Sequence, residues 1–225
     1  MIYRLPRWVL YGSMMLAFSA GMVNATALLG FANLSVSHVT GTVTVISTAF
    51  EAGDYARWLH GLMVVLSFLI GSMLSGLIVR NAPLQPGRRY GWALLLEAAL
   101  LAAASGFFVQ QSYVGELLAS MACGLQNSMI ATYSGSVIRT THLTGLVSDI
   151  GATIGNWIGG RPFKRLQFFL QIGICVAFFW GGVFGAWVFR QVGGLSLLVA
   201  AAVVLGAALA YFALQHSAWQ HRSFE

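Results

Sequence analysis

From Leu166 to Phe189 the chain runs 24 residues without one charged side chain. A hydrocarbon core about 30 Å thick takes roughly 20 helical residues to cross, and only helices or closed barrels satisfy their backbone groups there. The run is one of six. Apolar stretches of comparable length stand near 8–30, 58–80, 91–110, 113–133, 167–190 and 194–214. Of the 225 residues, 58% are hydrophobic and 8% charged, where a soluble domain carries about a quarter charged residues. With a mean hydropathy of +0.77, the chain lacks the polar surface to face water. The expected fold is an all-α membrane protein, a single transmembrane domain over 1–225 with six transmembrane helices.

Charge placement gives the expected orientation. With the N-terminus inside, Arg4, Arg7, Arg80, Arg88, Arg89, Arg139, Arg161, Lys164, Arg165 and Arg222 fall on the cytoplasmic side, and Arg57 and Arg190 outside. Lysine and arginine favour cytoplasmic loops, so both termini are expected there. The net charge of +6 comes from residues at the ends of apolar runs rather than from a patch, which argues against a nucleic-acid partner. Membrane lipid is the expected neighbour. Cys123 and Cys175 sit inside apolar segments without metal or redox spacing and read as inert buried thiols. Arg4 and Arg7 ahead of an apolar run and Ala17-Phe18-Ser19 mimic a cleaved leader. That segment has a partner deep in the chain, described next, so a retained first helix is expected.

The same polar pentapeptide is written twice, as "SHVTG" (37–41) and "THLTG" (141–145). If the polar stretch 36–50 crossed the membrane, Arg80, Arg88 and Arg89 would land outside. As a helix it would also reach only about 22 Å. It is therefore expected to be re-entrant or half of a broken helix, and so is its twin at 140–155. The likeness extends further. "GMVNA" (21–25) matches "GLQNS" (124–128), and "FLIGSMLSGLIVR" (68–80) matches "FFWGGVFGAWVFR" (178–190). Repeat 1 then covers about 8–110 and repeat 2 about 113–214, each with three spans and one polar insertion. Three is odd, so the second copy enters from the opposite side. This is the inverted-topology pattern of many transporters, whose discontinuous helices ligand solute near the midplane.

The paired motifs "GMVNA…SHVTG" and "GLQNS…RTTHLTG" resemble the YoaK family, bacterial membrane proteins of about this length classed as a domain of unknown function. The resemblance spans nearly the whole chain. It implies a six-span bacterial inner (cytoplasmic) membrane protein and brings no substrate. The family pattern implies an acidic residue where Asn24 stands, so no proton or cation role is carried over to that position.

Several residue types at the motif suit solute binding. On a short helix starting near Thr141, His142, Gly145 and Asp149 share one face, with Thr144 and Ser148 on an adjacent stripe. The first copy repeats His38, Thr40, Gly41 and Thr44 but has Val45 in place of the acid. Histidine changes charge near neutral pH, and a helix start offers N–H groups to an anion, with Arg139 beside it. Against that, a histidine or threonine can simply cap a helix break, and Asn24 and Asn127 can act as interhelical glue.

Asp149, unmatched in the other copy, is the expected proton-coupling group, with a salt bridge to Arg139 or exposure at the cytoplasmic mouth as alternatives. Glu97 reads as an acid near the cytoplasmic end of its span. Glu51, Asp54 and Glu116 read as outer-surface charges, and His60, His216 and His221 as interface or tail residues. "GSMLSG" (71–76) and "GGVFGA" (181–186) serve helix packing within the chain or a homodimer seam.

The expected function is a secondary transporter of a small polar solute or anion. Its central site is formed by Asn24, His38, Thr40, Gly41, Asn127, Arg139, His142, Thr144 and Gly145, with no cofactor. The alternatives are a membrane-embedded, metal-assisted enzyme using His38, His142 and Asp149, and a passive channel. The spacing matches no zinc signature.

Overall fold

The computed structural model describes residues 7–31, 33–80, 88–133, 140–163 and 165–222, and side chains from 10 to 215 within them except at 88 and 133. Among these residues are eight α-helices: α1 (Arg7–Leu29), α2 (Val39–Glu51), α3 (Tyr55–Val79), α4 (Arg88–Val109), α5 (Tyr113–Tyr133), α6 (Leu143–Ile158), α7 (Arg165–Val192) and α8 (Ser196–Arg222). A 3-10 turn, Gly193–Leu195, joins the last two, where Gly193 takes a φ of +58° that glycine adopts without penalty. No strand occurs among the described residues.

Four stretches are long and apolar enough to cross a membrane: Leu10–Leu29, Tyr55–Val79, Arg89–Val109 and Arg165–Gln215. The last holds both α7 and α8. Helix α5, with 21 residues, is long enough but falls outside this set, since Glu116, Gln126 and Asn127 lower its hydropathy.

Backbone-to-backbone contact fixes how the long helices pair. Lipid offers no hydrophobic drive for helix association, so small residues that let backbones touch decide the interfaces. A Cβ added at Gly21 of α1 would overlap the Phe178 carbonyl of α7, and one at Gly181 of α7 would overlap the Phe18 carbonyl of α1. On the other flank a Cβ at Gly124 of α5 would overlap the Phe68 carbonyl of α3, and one at Gly71 of α3 the Met121 carbonyl of α5. The Ser72 hydroxyl seals that seam by donating to the Gly124 carbonyl at 3.1 Å. Gly71, Gly181 and Gly185 of the two small-residue runs thus pack inside the chain, while Gly76 is exposed.

In both pairs residue numbers rise together, so α1 runs parallel to α7 and α3 parallel to α5. Helices α4 and α8 pack antiparallel between them. Tyr90 lies 6.4 Å from Tyr211 at one end, and at the other Ser105 donates to the Gly194 carbonyl at 3.0 Å. Far from being an appendage, α1 is core, with Ala17, Ala20 and Ala27 at most 1% exposed.

After α1 the chain turns back into the bundle. The Val36 carbonyl accepts from the Ser120 hydroxyl of α5 at 2.9 Å, a proton shared with the Val64 carbonyl of α3 at 2.8 Å. From there α2 returns along α3, with Ile46 and Thr42 against Gly61. Its 13 residues reach about 19 Å, well short of a crossing. Its hydroxyls bond their own backbone one turn back: Thr44 to the Thr40 carbonyl, Ser47 to Val43 and Thr48 to Thr44, at 3.1, 2.9 and 3.1 Å. This habit spares a polar helix from needing outside partners. Asp54 then caps α3, accepting from the Arg57 N–H at 3.0 Å. The second insertion repeats the plan on α7, with α6 in the place of α2.

Candidate functional site

Each pentapeptide histidine sits at the first turn of its short helix with nearly the same backbone. His38 has φ −98° and ψ 66°, and His142 has φ −93° and ψ 59°. Both occupy N-cap positions, yet neither side chain caps. Each imidazole instead folds over the glycine three residues on. A Cβ at Gly41 would lie 2.8 Å from His38 Nδ1, and one at Gly145 2.5 Å from His142 Nδ1. The His-x-x-Gly spacing is thus explained sterically in both copies, since any larger residue would displace the ring. Thr40 and Thr144 are exposed, and their carbonyls accept from Thr44 and Ser148 at 3.1 and 2.9 Å.

The asparagines hold the turns that lead into these starts. Asn24 Oδ1 accepts from Ser35 Oγ at 2.9 Å and from the Ser37 N–H at 3.2 Å. Asn127 Oδ1 is buried and has no partner among the described residues. The matching bond comes from its neighbour: Gln126 Nε2 donates to Thr140 Oγ1 at 2.9 Å and to the Leu16 carbonyl at 3.0 Å. Arg139 lies outside the described residues.

His38 and His142 are both exposed on the flanks of the long-helix core, and no hydrogen bond joins them among the described residues. Helix α2 packs on α3 and α6 on α7. Asp149 is exposed and accepts from Gln171 Nε2 of α7 at 3.2 Å. No three His, Cys, Asp or Glu side chains gather as a metal site among the described residues.

Two acids lie elsewhere than the sequence indicates. Glu116 is fully buried, and its Oε2 meets His60 Nε2 at 2.6 Å, beneath the Tyr113 ring 4.2 Å from the imidazole. It sits one turn into α5 and reads as terminal, but its face is the one packed on α3. Glu97 is 1% exposed. Because α4 begins at Arg88, Glu97 lies nine residues in, about 13 Å along the axis, too deep to reach the rim. Its Oε2 has no hydrogen-bond partner among the described residues.

Between α1, α4, α5 and α8 a cavity of about 360 Å³ opens at one end of the bundle. Tyr11, Tyr90 and Tyr211 stand among its lining residues with Leu16, Leu94 and Met129. The volume lies at the small end of the roughly 300–1,000 Å³ usual for ligand sites. Glu97 is one helical turn beyond Leu94 on α4, and Gln126 one turn beyond Met129 on α5, so the layer past the cavity's inner end is polar.

The opposite end of the same four helices is closed. The Phe108 ring fills the space beside Gly30 and Gly115, where an added Cβ would come within 2.9 and 2.7 Å of it. The Thr26 and Ser196 hydroxyls pair at 2.9 Å, and the Phe31 ring packs tilted against Tyr113, 5.1 Å between centroids.

A family profile described as "Protein of unknown function (DUF1275)" matches residues 12–211. The UPF0700 transmembrane protein RA0705 of Rhizobium meliloti (strain 1021) is 30% identical over 213 residues, covering 92% of this chain and 87% of that protein. No solved structure matches the chain. Apolar helices and a transmembrane relative together make this a membrane protein, with lipid against its exposed apolar faces.

Proposed function

The chain belongs to the DUF1275 family of proteins of unknown function, in line with the resemblance its motifs carry, and we propose that it works there as a secondary transporter. The observation that carries this is a difference between the two ends of one four-helix core. The match of Gly21 with Gly124, carried along the same pair of helices, sets Gly12 of α1 over Gly115 of α5. Phe108 packs tightly on Gly115, whereas a Cβ at Gly12 would meet no atom within 4 Å among the described residues, and Tyr211 lines the cavity. Equivalent positions in two states are what alternating access needs, with repeats rocking about a fixed site. A continuous passive pore would have both ends open.

The reciprocal glycine seams, α1 on α7 and α5 on α3, support two inverted repeats, about 8–110 and 113–214. Alternating helix directions support six spans. The basic residues that begin α1 and α4 favour placing the open end in the cytoplasm of a bacterial inner membrane. The two His-x-Thr-Gly starts, with Asn24, Asn127 and Arg139, are the proposed contacts for a small polar solute or anion. They are equivalent elements on the two flanks, and a homodimer is compatible with their exposure.

The test is uptake of a panel of labelled anions and polar metabolites into proteoliposomes, preselected by thermal shift on the purified protein, since a ligand of the native state raises apparent stability. His38→Ala and His142→Ala should each abolish flux while melting as the parent does. Undiminished flux in both variants removes the motifs from the site.

A further inference from the structure

We infer that Glu97 is the group that takes up and releases the coupling proton, a role that rests on the transporter reading above. The carboxyl lies in the middle of α4, buried to 1%, and no donor reaches its Oε2 among the described residues. An ionisable side chain inside a membrane is costly and is kept where it serves an ion or proton pathway. A structural acid in such a place is ordinarily paired, as Glu116 is by His60. Glu97 is not.

Its surroundings fit a proton better than a metal cation. A hard cation takes several oxygen ligands, but no group of three His, Cys, Asp or Glu side chains gathers here among the described residues. A proton needs one carboxyl oxygen. Among the described residues of the packed neighbours, the titratable group that faces Glu97 is Cys123 of α5. Helix α8 presents Ala200, Ala201 and Val204 to the core, all buried, and α3, which also packs on α4, carries no titratable side chain between His60 and Arg80. Asp149, by contrast, is exposed and already bonded to Gln171.

Position supplies the route. Glu97 lies one turn beyond Leu94 at the inner end of the cavity, with the Phe108 closure on its far side. A hydronium ion in water entering from the cavity side gives up a proton, its O–H bond breaking to leave water, and the carboxylate becomes a carboxylic acid. When the Phe108 side opens instead, the O–H bond breaks and the proton leaves to water there. No electrons move and no further reactant is consumed.

The test uses the full chain in liposomes with protons as the only probe. Infrared difference spectra across a pH titration should show a protonated-carboxyl band that Glu97→Gln removes and Asp149→Asn leaves. In a background with Cys123 and Cys175 replaced by serine, Ser13→Cys reports the cavity end and Ser105→Cys the closed end through labelling by a water-soluble thiol reagent. Labelling at the two ends should shift oppositely with pH, and Glu97→Gln should freeze that response while Glu97→Asp restores it in part. A band that survives in Glu97→Gln, or an unchanged pH response in that variant, overturns the assignment. Ends that alternate without regard to pH sink the role of Glu97 and leave the transporter standing. Ends that never alternate, at any pH or membrane potential, sink the transporter and Glu97's role with it.

Discussion

Replacing Gly124 with alanine adds one methyl group at a place that has no room for it. The new Cβ would overlap the Phe68 carbonyl of α3 and lie 3.0 Å from the Phe68 Cα. Both are backbone atoms, so no rotamer can relieve the clash and α3 must move away from α5. Overpacking of this kind costs about 1–3 kcal/mol. The Ser72 bond to the Gly124 carbonyl, 3.1 Å long, weakens with it, and interhelical bonds in membranes average roughly 0.6 kcal/mol. Better helix propensity returns up to about 1 kcal/mol, which leaves a net loss of roughly 1–3 kcal/mol. For a chain of this size that corresponds to a fall in melting temperature of about 2–12 °C.

The control is Gly12→Ala, at the counterpart of Gly115 in the proposed repeat, where an added Cβ meets nothing within 4 Å among the described residues. There only the propensity gain applies, and the protein should melt at the same temperature or slightly higher. Fluorescence-detected melting of both variants in one detergent gives the comparison. Equal shifts, or a stable Gly124→Ala, would refute backbone contact as the basis of the α3–α5 seam.

Other perturbations follow from the same geometry. His60→Ala strands a fully buried Glu116 carboxyl, and breaking one side of a buried pair costs about 3–5 kcal/mol. It should lower the melting point more than Gly124→Ala, while adding Glu116→Gln to His60→Ala in a double variant recovers part of the loss. Phe108→Ala removes the ring that closes the far end, and thiol labelling at Ser105→Cys should rise several-fold while that at Ser13→Cys stays level. Asn24→Ala loses the two bonds to Ser35 and Ser37 and should speed amide exchange at residues 35–38 without changing exchange in α5.

Hydropathy and charge carry far in this chain because lipid demands helices and penalises charge. The six long helices and the two short polar ones can be read from the residues. What stays hidden is which face of a helix turns inward. Glu116 and Glu97 look peripheral because each lies near the end of an apolar run. Their burial depends on tertiary contacts, with α3 for Glu116 and with α5 and α8 for Glu97. A signal did exist on α4, where Leu94, Glu97, Ala98, Leu101, Ala104 and Phe108 recur at helical spacing and are all buried. An acid standing on that stripe belongs to the core. The pentapeptide's glycine is legible as a site for close approach, and the group that approaches it is the histidine of the same motif. The cavity draws on four helices far apart in sequence and has no local signature.

Distances between spin labels at the two ends of the core test alternation most directly. One pair, on Tyr11 and Leu214, spans the open end from α1 to α8; the other, on Leu29 and Val109, spans the closed end from α1 to α4; all four side chains are exposed. In lipid nanodiscs, across pH and transported solute, the first distance should shorten as the second lengthens. Two distances that stay fixed, or that change in the same direction, would contradict a rocking carrier.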